Sequence, residues 1–189
     1  MACPQFGLVF DIGRGPVDFI EIPLILLTHG HLDHASGIPY YFSQRNLRKL
    51  PPGKLYCPPE IADPLRRMLS IWSEIEDYEI QGTIEGVDYE RDYPIKGNVY
   101  FRAVRSSHRI ASNGYLLFEK TKRLKEEFKK LSGPEIARLK NVRDDLFHEF
   151  DLPLVTFSGD TRIEFVAENP LVQQSKILFL ECTYIDDKR

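Results

Sequence analysis

Cysteine is scarce in this chain: Cys3, Cys57 and Cys182 are odd in number, widely separated and without any C-x-x-C spacing. That argues against a disulfide framework and a thiolate zinc site, and it fits a reducing, cytoplasmic setting. Long apolar runs are missing as well. The longest, Phe19 to Leu27, is interrupted by Glu21 and Pro23 and falls far short of the roughly 20 residues that span a bilayer. Met1 to Phe10 lacks the basic start of a secretory signal, and Asp11 soon follows. The expectation is a soluble protein with no membrane partner. Neither sign of charge is in large excess: 25 Lys and Arg against 28 Asp and Glu give a formal net charge of -3. Without a global basic field, any nucleic-acid partner has to be held by a local patch. No repeat or low-complexity linker interrupts the 189 residues, and 42% hydrophobic content suffices for a single domain over residues 1–189.

What is present is a set of short apolar runs separated by turns. Leu8-Val9-Phe10 reads as a buried strand running into the turn Asp11-Ile12-Gly13, and Pro23 to Leu27 as a second strand. Gly37 to Leu50 has helical spacing and stops at Pro51-Pro52-Gly53. Lys54 to Cys57 is a short strand. Pro58 to Glu76 places Ile61, Leu65, Met68, Leu69, Trp72 and Ile75 on one face of an amphipathic helix that covers a sheet. Asn98 to Val104 and Tyr115 to Phe118 read as antiparallel strands on either side of a Ser106–Gly114 loop. Lys120 to Lys130 holds eight Lys, Arg or Glu residues in eleven, six of them basic. It reads either as a solvated helical face or as an RNA-facing patch. Thr161 to Gln174 is helix-like, between strands at Leu154–Phe157 and Ile177–Leu180.

Directly after the second strand comes Thr28-His29-Gly30-His31-Leu32-Asp33-His34. Imidazoles and carboxylates are seldom grouped so densely unless they organise a charge, and together they suit a divalent metal. The i, i+2 spacing lets His29 and His31 point the same way from an extended segment, unlike the helical i, i+4 pair of H-E-x-x-H enzymes. Asp33 and His34 project from the start of the next helix toward a second position.

The run His29-x-His31-x-Asp33-His34 resembles the hallmark of the metallo-β-lactamase superfamily. Ser107-His108-Arg109-Ile110-Ala111-Ser112-Asn113-Gly114-Tyr115 is similar to the third-motif loop of its ribonuclease Z branch. Phe157-Ser158-Gly159-Asp160-Thr161 resembles the segment with the bridging aspartate, Leu180-Glu181-Cys182-Thr183-Tyr184 the strand that follows, and Gly133-Pro134-Glu135 a further stretch of that branch. The resemblance implies an α+β, four-layer αββα sandwich, incomplete at its edges, with Zn2+ as cofactor, one or two ions per chain. It further implies that His29, His31 and His108 hold the first zinc, Asp33 and His34 the second, and Asp160 bridges both. Asp11 stands where the family has a buried aspartate that supports the metal loop. Asp33 is implied as the general base of phosphodiester hydrolysis, with the 3′ end of precursor tRNA as substrate and RNA as partner.

The chain also departs from that pattern. Two further histidines expected downstream are not matched, and His148 is the histidine left over, set in Leu146-Phe147-His148-Glu149-Phe150 as strand or loop packing or as a replacement ligand. Seven residues precede the first strand, so edge strands are expected to be lacking and their place taken by a partner or another chain, for instance in a homodimer. The stretch Lys120 to Asn141 is short for the family's long RNA-clamping arm. A truncated, non-catalytic metal-binding form and a hydrolase of carboxyl esters, lactones or thioesters are the alternative readings, because the same metal chemistry serves acyl transfer.

Overall fold

A computed structural model describes residues 1–181, so the Cys182–Tyr184 part of the last motif lies outside the described residues. Two five-stranded sheets pack face to face. The first runs β1 (Ala2–Cys3), β2 (Leu8–Phe10), β3 (Leu24–Leu26), β4 (Gly53–Cys57) and β5 (Gly82–Gly86), parallel except for β1. Side chains alternate across it. Ile25, Leu27, Leu55 and Cys57 point to one face, where helices α2 (Ile38–Leu47) and α3 (Pro59–Glu76) cover them with Ile38, Tyr41, Phe42, Ala62, Leu65 and Leu69. Leu8, Phe10, Leu26 and Tyr56 point to the other face and meet Phe101, Tyr115, Leu117 and Val155 of the second sheet. Phe10 stacks on Phe157 between the layers, with ring centroids 4.9 Å apart.

The second sheet runs β6 (Tyr93–Lys96), β7 (Val99–Arg105), β8 (Asn113–Leu124), β9 (Phe147–Phe157) and β10 (Ile177–Phe179), with β10 parallel to β9 and the other neighbours antiparallel. Because Tyr115 and Leu117 face inward, Gly114 and Leu116 face out. There, two four-residue helices, α5 (Glu164–Ala167) and α6 (Pro170–Gln173), bury Phe165 and Val172. Helix, sheet, sheet and short helices give the αββα order, with the outer helical layer thin among the described residues. The α1 turn (Leu32–Ala35) follows β3. None of the described helices is long and apolar enough to cross a membrane.

Several expectations change. Lys120 to Lys130 is not a helical face: β8 continues to Leu124, and a 3-10 turn spans Glu126–Phe128. The reason lies across the sheet, where Lys120 pairs with Asp151 and Lys122 with Glu149, the latter with an ion pair of 2.7 Å. Such cross-strand complementarity is absent from the local composition. β7 pairs with β8 only as far as Glu119, so beyond it β8 and β9 form a two-stranded ribbon, followed by helix α4 (Gly133–Lys140) with a Ser132/Glu135 capping box. This makes a short projection, in keeping with a stretch too short for the family's long arm. His148 lies on this ribbon opposite Arg123, exposed and away from the other histidines, which excludes it as a replacement ligand. The helix expected over Thr161 to Gln174 is broken at Asn169-Pro170, since proline supplies no N–H to continue it. Finally, β1 supplies an edge strand ahead of β2, which was not expected.

Candidate metal centre

Four chain segments end at one corner of the sandwich. β2 delivers Asp11, β3 delivers the 28–34 loop, the β7–β8 connection brings His108, and the segment after β9 brings Asp160. A bridge between His29 and Ser112 and a hydrogen bond from Ser106 Oγ to the Asp160 carbonyl (3.1 Å) tie these loops together. The result is a compact group of His29, His31, His108 and Asp160, whose donor atoms all lie within 4.8 Å of one another. His29 Nε2 is 2.9 Å from His31 Nδ1, His31 Nδ1 is 3.3 Å from His108 Nε2, and His29 Nε2 is 3.9 Å from Asp160 Oδ2. Tetrahedral donors with bonds of about 2.0–2.1 Å stand roughly 3.3–3.4 Å apart, so these spacings suit a four-coordinate divalent ion.

The hydrogen bonds behind the group fix which ring nitrogens face inward. The Thr28 hydroxyl donates to the Asp11 carboxylate (2.9 and 3.0 Å to its two oxygens), so it can only accept from His29 Nδ1–H at 3.0 Å. That leaves a lone pair on His29 Nε2, directed at the site. Burial lowers the His29 pKa to about 4, which keeps the ring neutral and able to ligate near pH 7. Asp11 Oδ2 also accepts from His34 Nδ1–H at 2.8 Å, which leaves His34 Nε2 facing Asp160 Oδ1 and Asp33 Oδ2, each at 3.5 Å. This hydrogen bond is the largest of the effects that raise the His34 pKa. Asp33 and His34 are thus outside the compact group but adjacent to it, with His34 linking Asp33 to Asp160. Asp33 itself is 79% exposed, at the mouth of the site.

Thr28 is the residue whose role went unread: its relay needs a carboxylate 17 positions away. A hydroxyl directly before the first histidine was the available signal. Gly159 is the other. It has φ +60°, and a Cβ there would sit 2.7 Å from Thr28 Cβ, so only glycine lets the Asp160 segment lie against the metal loop. Gly159→Ala is expected to cost about 2–3 kcal/mol of stability and to weaken metal binding, with Asp160 pushed off the histidines. Chemical denaturation and metal titration check both; wild-type metal affinity would refute it.

The chain is similar to known proteins over most of its length. Residues 18–86 match the family model of the metallo-beta-lactamase superfamily. The chain is 30% identical over 97% of its length to tRNase Z TRZ1 of Arabidopsis thaliana, and 29% identical over 97% to chloroplastic tRNase Z TRZ2 of the same plant. It is also 31% identical, over 72% of its length, to the nuclear ribonuclease Z of Triticum aestivum, of which the match covers 78%. The chain belongs to the metallo-β-lactamase superfamily, in its ribonuclease Z branch. It spans 66% and 52% of the length of the two Arabidopsis relatives.

Proposed function

We propose that this chain acts as a zinc-dependent phosphodiesterase of ribonuclease Z type on the 3′ end of precursor tRNA, as one domain over residues 1–189 in a cytoplasmic setting. The observation that carries this reading is the position of Asp160. One of its oxygens faces the three-histidine group and the other faces His34, so a single carboxylate serves two adjacent donor sets. His29, His31 and His108 would hold one zinc, Asp33 and His34 another, and Asp160 both; imidazole and carboxylate are the donors that borderline zinc accepts. Bound there, the ions would supply a water of lowered pKa and polarise a phosphoryl oxygen.

The hydrogen bonds behind the centre limit which of its side chains can move a proton. His29 and His34 keep their Nδ1 protons committed to Thr28 and Asp11, so neither ring is available to shuttle a proton. Asp33 Oδ2, exposed at the mouth beside His34 Nε2, is placed to take the proton of the attacking water. RNA as partner is supported by Arg123 on the ribbon and Lys125 just beyond β8, basic groups on a chain that is otherwise close to neutral, whereas Lys122 is paired with Glu149.

The test is metal analysis together with hydrolysis of precursor tRNA and of a nitrophenyl phosphodiester. About two zinc ions per chain are expected, and Asp33→Ala should lower kcat by about 10²–10⁴-fold while the three-histidine site stays loaded. Folded, metal-loaded protein that cuts neither substrate would sink this reading. Turnover confined to carboxyl esters or lactones would replace it with acyl chemistry.

A further inference from the structure

Beside the metal centre lies a cavity of about 660 Å³. His108 and Asp160 form its inner wall, and Arg109, Thr161, Arg162 and Glu181 are among the residues that complete it. Each arginine sits next to a metal donor of a different loop: Arg109 follows His108, and Arg162 comes two residues after Asp160. Since the donor atoms of His108 and Asp160 belong to one group within 4.8 Å, two loops deliver two guanidinium groups to the same space. Both arginine side chains are exposed, and among the described residues neither forms an ion pair. The Glu181 carboxylate is held to the wall by accepting from Thr161 N–H at 3.2 Å.

The charge of this space follows from what each group is already doing. With Asp160 committed to the metal donors, the described lining of the cavity offers two guanidinium groups and the Glu181 carboxylate. An anion is the ligand such a wall favours. Planar guanidinium forks match phosphate oxygens in pairs, whereas a neutral ester or lactone has no charge for them to meet. The volume lies within the range of sites that enclose whole small ligands, so there is room for more than the group being cut. Resting on the phosphodiesterase reading above, we infer that Arg109 and Arg162 clamp a backbone phosphate next to the scissile one. The substrate class of this site is then a polynucleotide rather than an isolated phosphodiester or a neutral ester. It also supplies the local basic patch that a chain of formal charge -3 needs in order to hold nucleic acid.

Binding tests the clamp without requiring turnover. Zinc-loaded protein is titrated against a fluorescent, cleavage-resistant 2′-O-methyl single-stranded oligonucleotide at several salt concentrations, for wild type, Arg109→Gln, Arg162→Gln and the double variant. Each single change is expected to weaken binding about tenfold, and the double variant to flatten the log–log salt slope by about 0.7, one single-strand phosphate's share. Arg→Lys at both positions, which keeps charge and loses the fork, should restore the slope but only part of the affinity. Zinc content and melting temperature are expected to stay at wild-type values. Variants that bind as tightly as wild type, or that lose binding only together with zinc, overturn the clamp. If wild type binds through both arginines but cuts no RNA, the nuclease reading falls and the pair stands only as a phosphate-binding site; if it cuts precursor tRNA while the variants bind normally, the clamp alone falls.

Discussion

Asp160→Asn is expected to reduce bound metal from about two ions per chain to one or fewer and to lower hydrolysis by at least about 10³-fold. The substitution keeps the shape of the side chain, so the backbone path after β9 and the bond from Ser106 to the Asp160 carbonyl can persist. What it removes is a negative charge that two donor groups share, at 3.9 Å from His29 Nε2 and 3.5 Å from His34 Nε2. Without that charge, two dications held by these donor sets would lack a shared anion to offset their repulsion. The side with His29, His31 and His108 still has three imidazole donors and is the one expected to keep an ion. The side with Asp33 and His34 is expected to empty. Elemental analysis after dialysis, paired with circular dichroism to show that the fold survives, reads the result. Two tightly held ions and wild-type turnover in the variant would mean that Asp160 joins nothing.

How much of this was legible in the sequence depended on distance along the chain. The strands at Leu8–Phe10 and Leu24–Leu26, and the helix at Pro59–Glu76, were readable because apolar spacing is local. The 28–34 run was readable for the same reason, with three imidazoles and a carboxylate inside one loop. His108 lies 77 positions beyond His31 and still comes within 3.3 Å of it, a proximity that no spacing rule conveys. Only resemblance to a family could connect His108 and Asp160 to that loop. The ribbon failed to show for a related reason: a lysine-rich stretch looks the same as a helix face or as a strand until its partner, here Phe147 to Asp151, is known. The role of Asp11 was implied, but its means, a threonine hydroxyl on one side and a histidine ring on the other, follows only from atomic positions.

That double role makes Asp11→Asn the second large effect. Asp11 has φ +52°, a left-handed conformation that asparagine also adopts readily, so the change leaves the backbone undisturbed and isolates the carboxylate. The carboxylate accepts from Thr28 N–H at 2.7 Å, from the Thr28 hydroxyl, and from His34 Nδ1–H. An amide offers one acceptor atom where the carboxylate offers two, and it puts an NH2 where a donor already points. Metal affinity on both sides is expected to fall about 10–100-fold, and stability by about 2–4 kcal/mol. A pH signature separates this from simple loosening. In metal-free protein, Asp11 holds the His34 pKa above its ordinary 6.5, so the folded state binds that proton more tightly than the unfolded state. The stability gained is complete below pH 6.5 and is lost as pH rises through the raised His34 value. The gap between wild type and Asp11→Asn should therefore be wider at about pH 6 than at about pH 8. Denaturant titrations of metal-free protein at both pH values measure it. A gap of the same size at each, with metal affinity within threefold of wild type, would remove Asp11 from its position behind both halves of the centre.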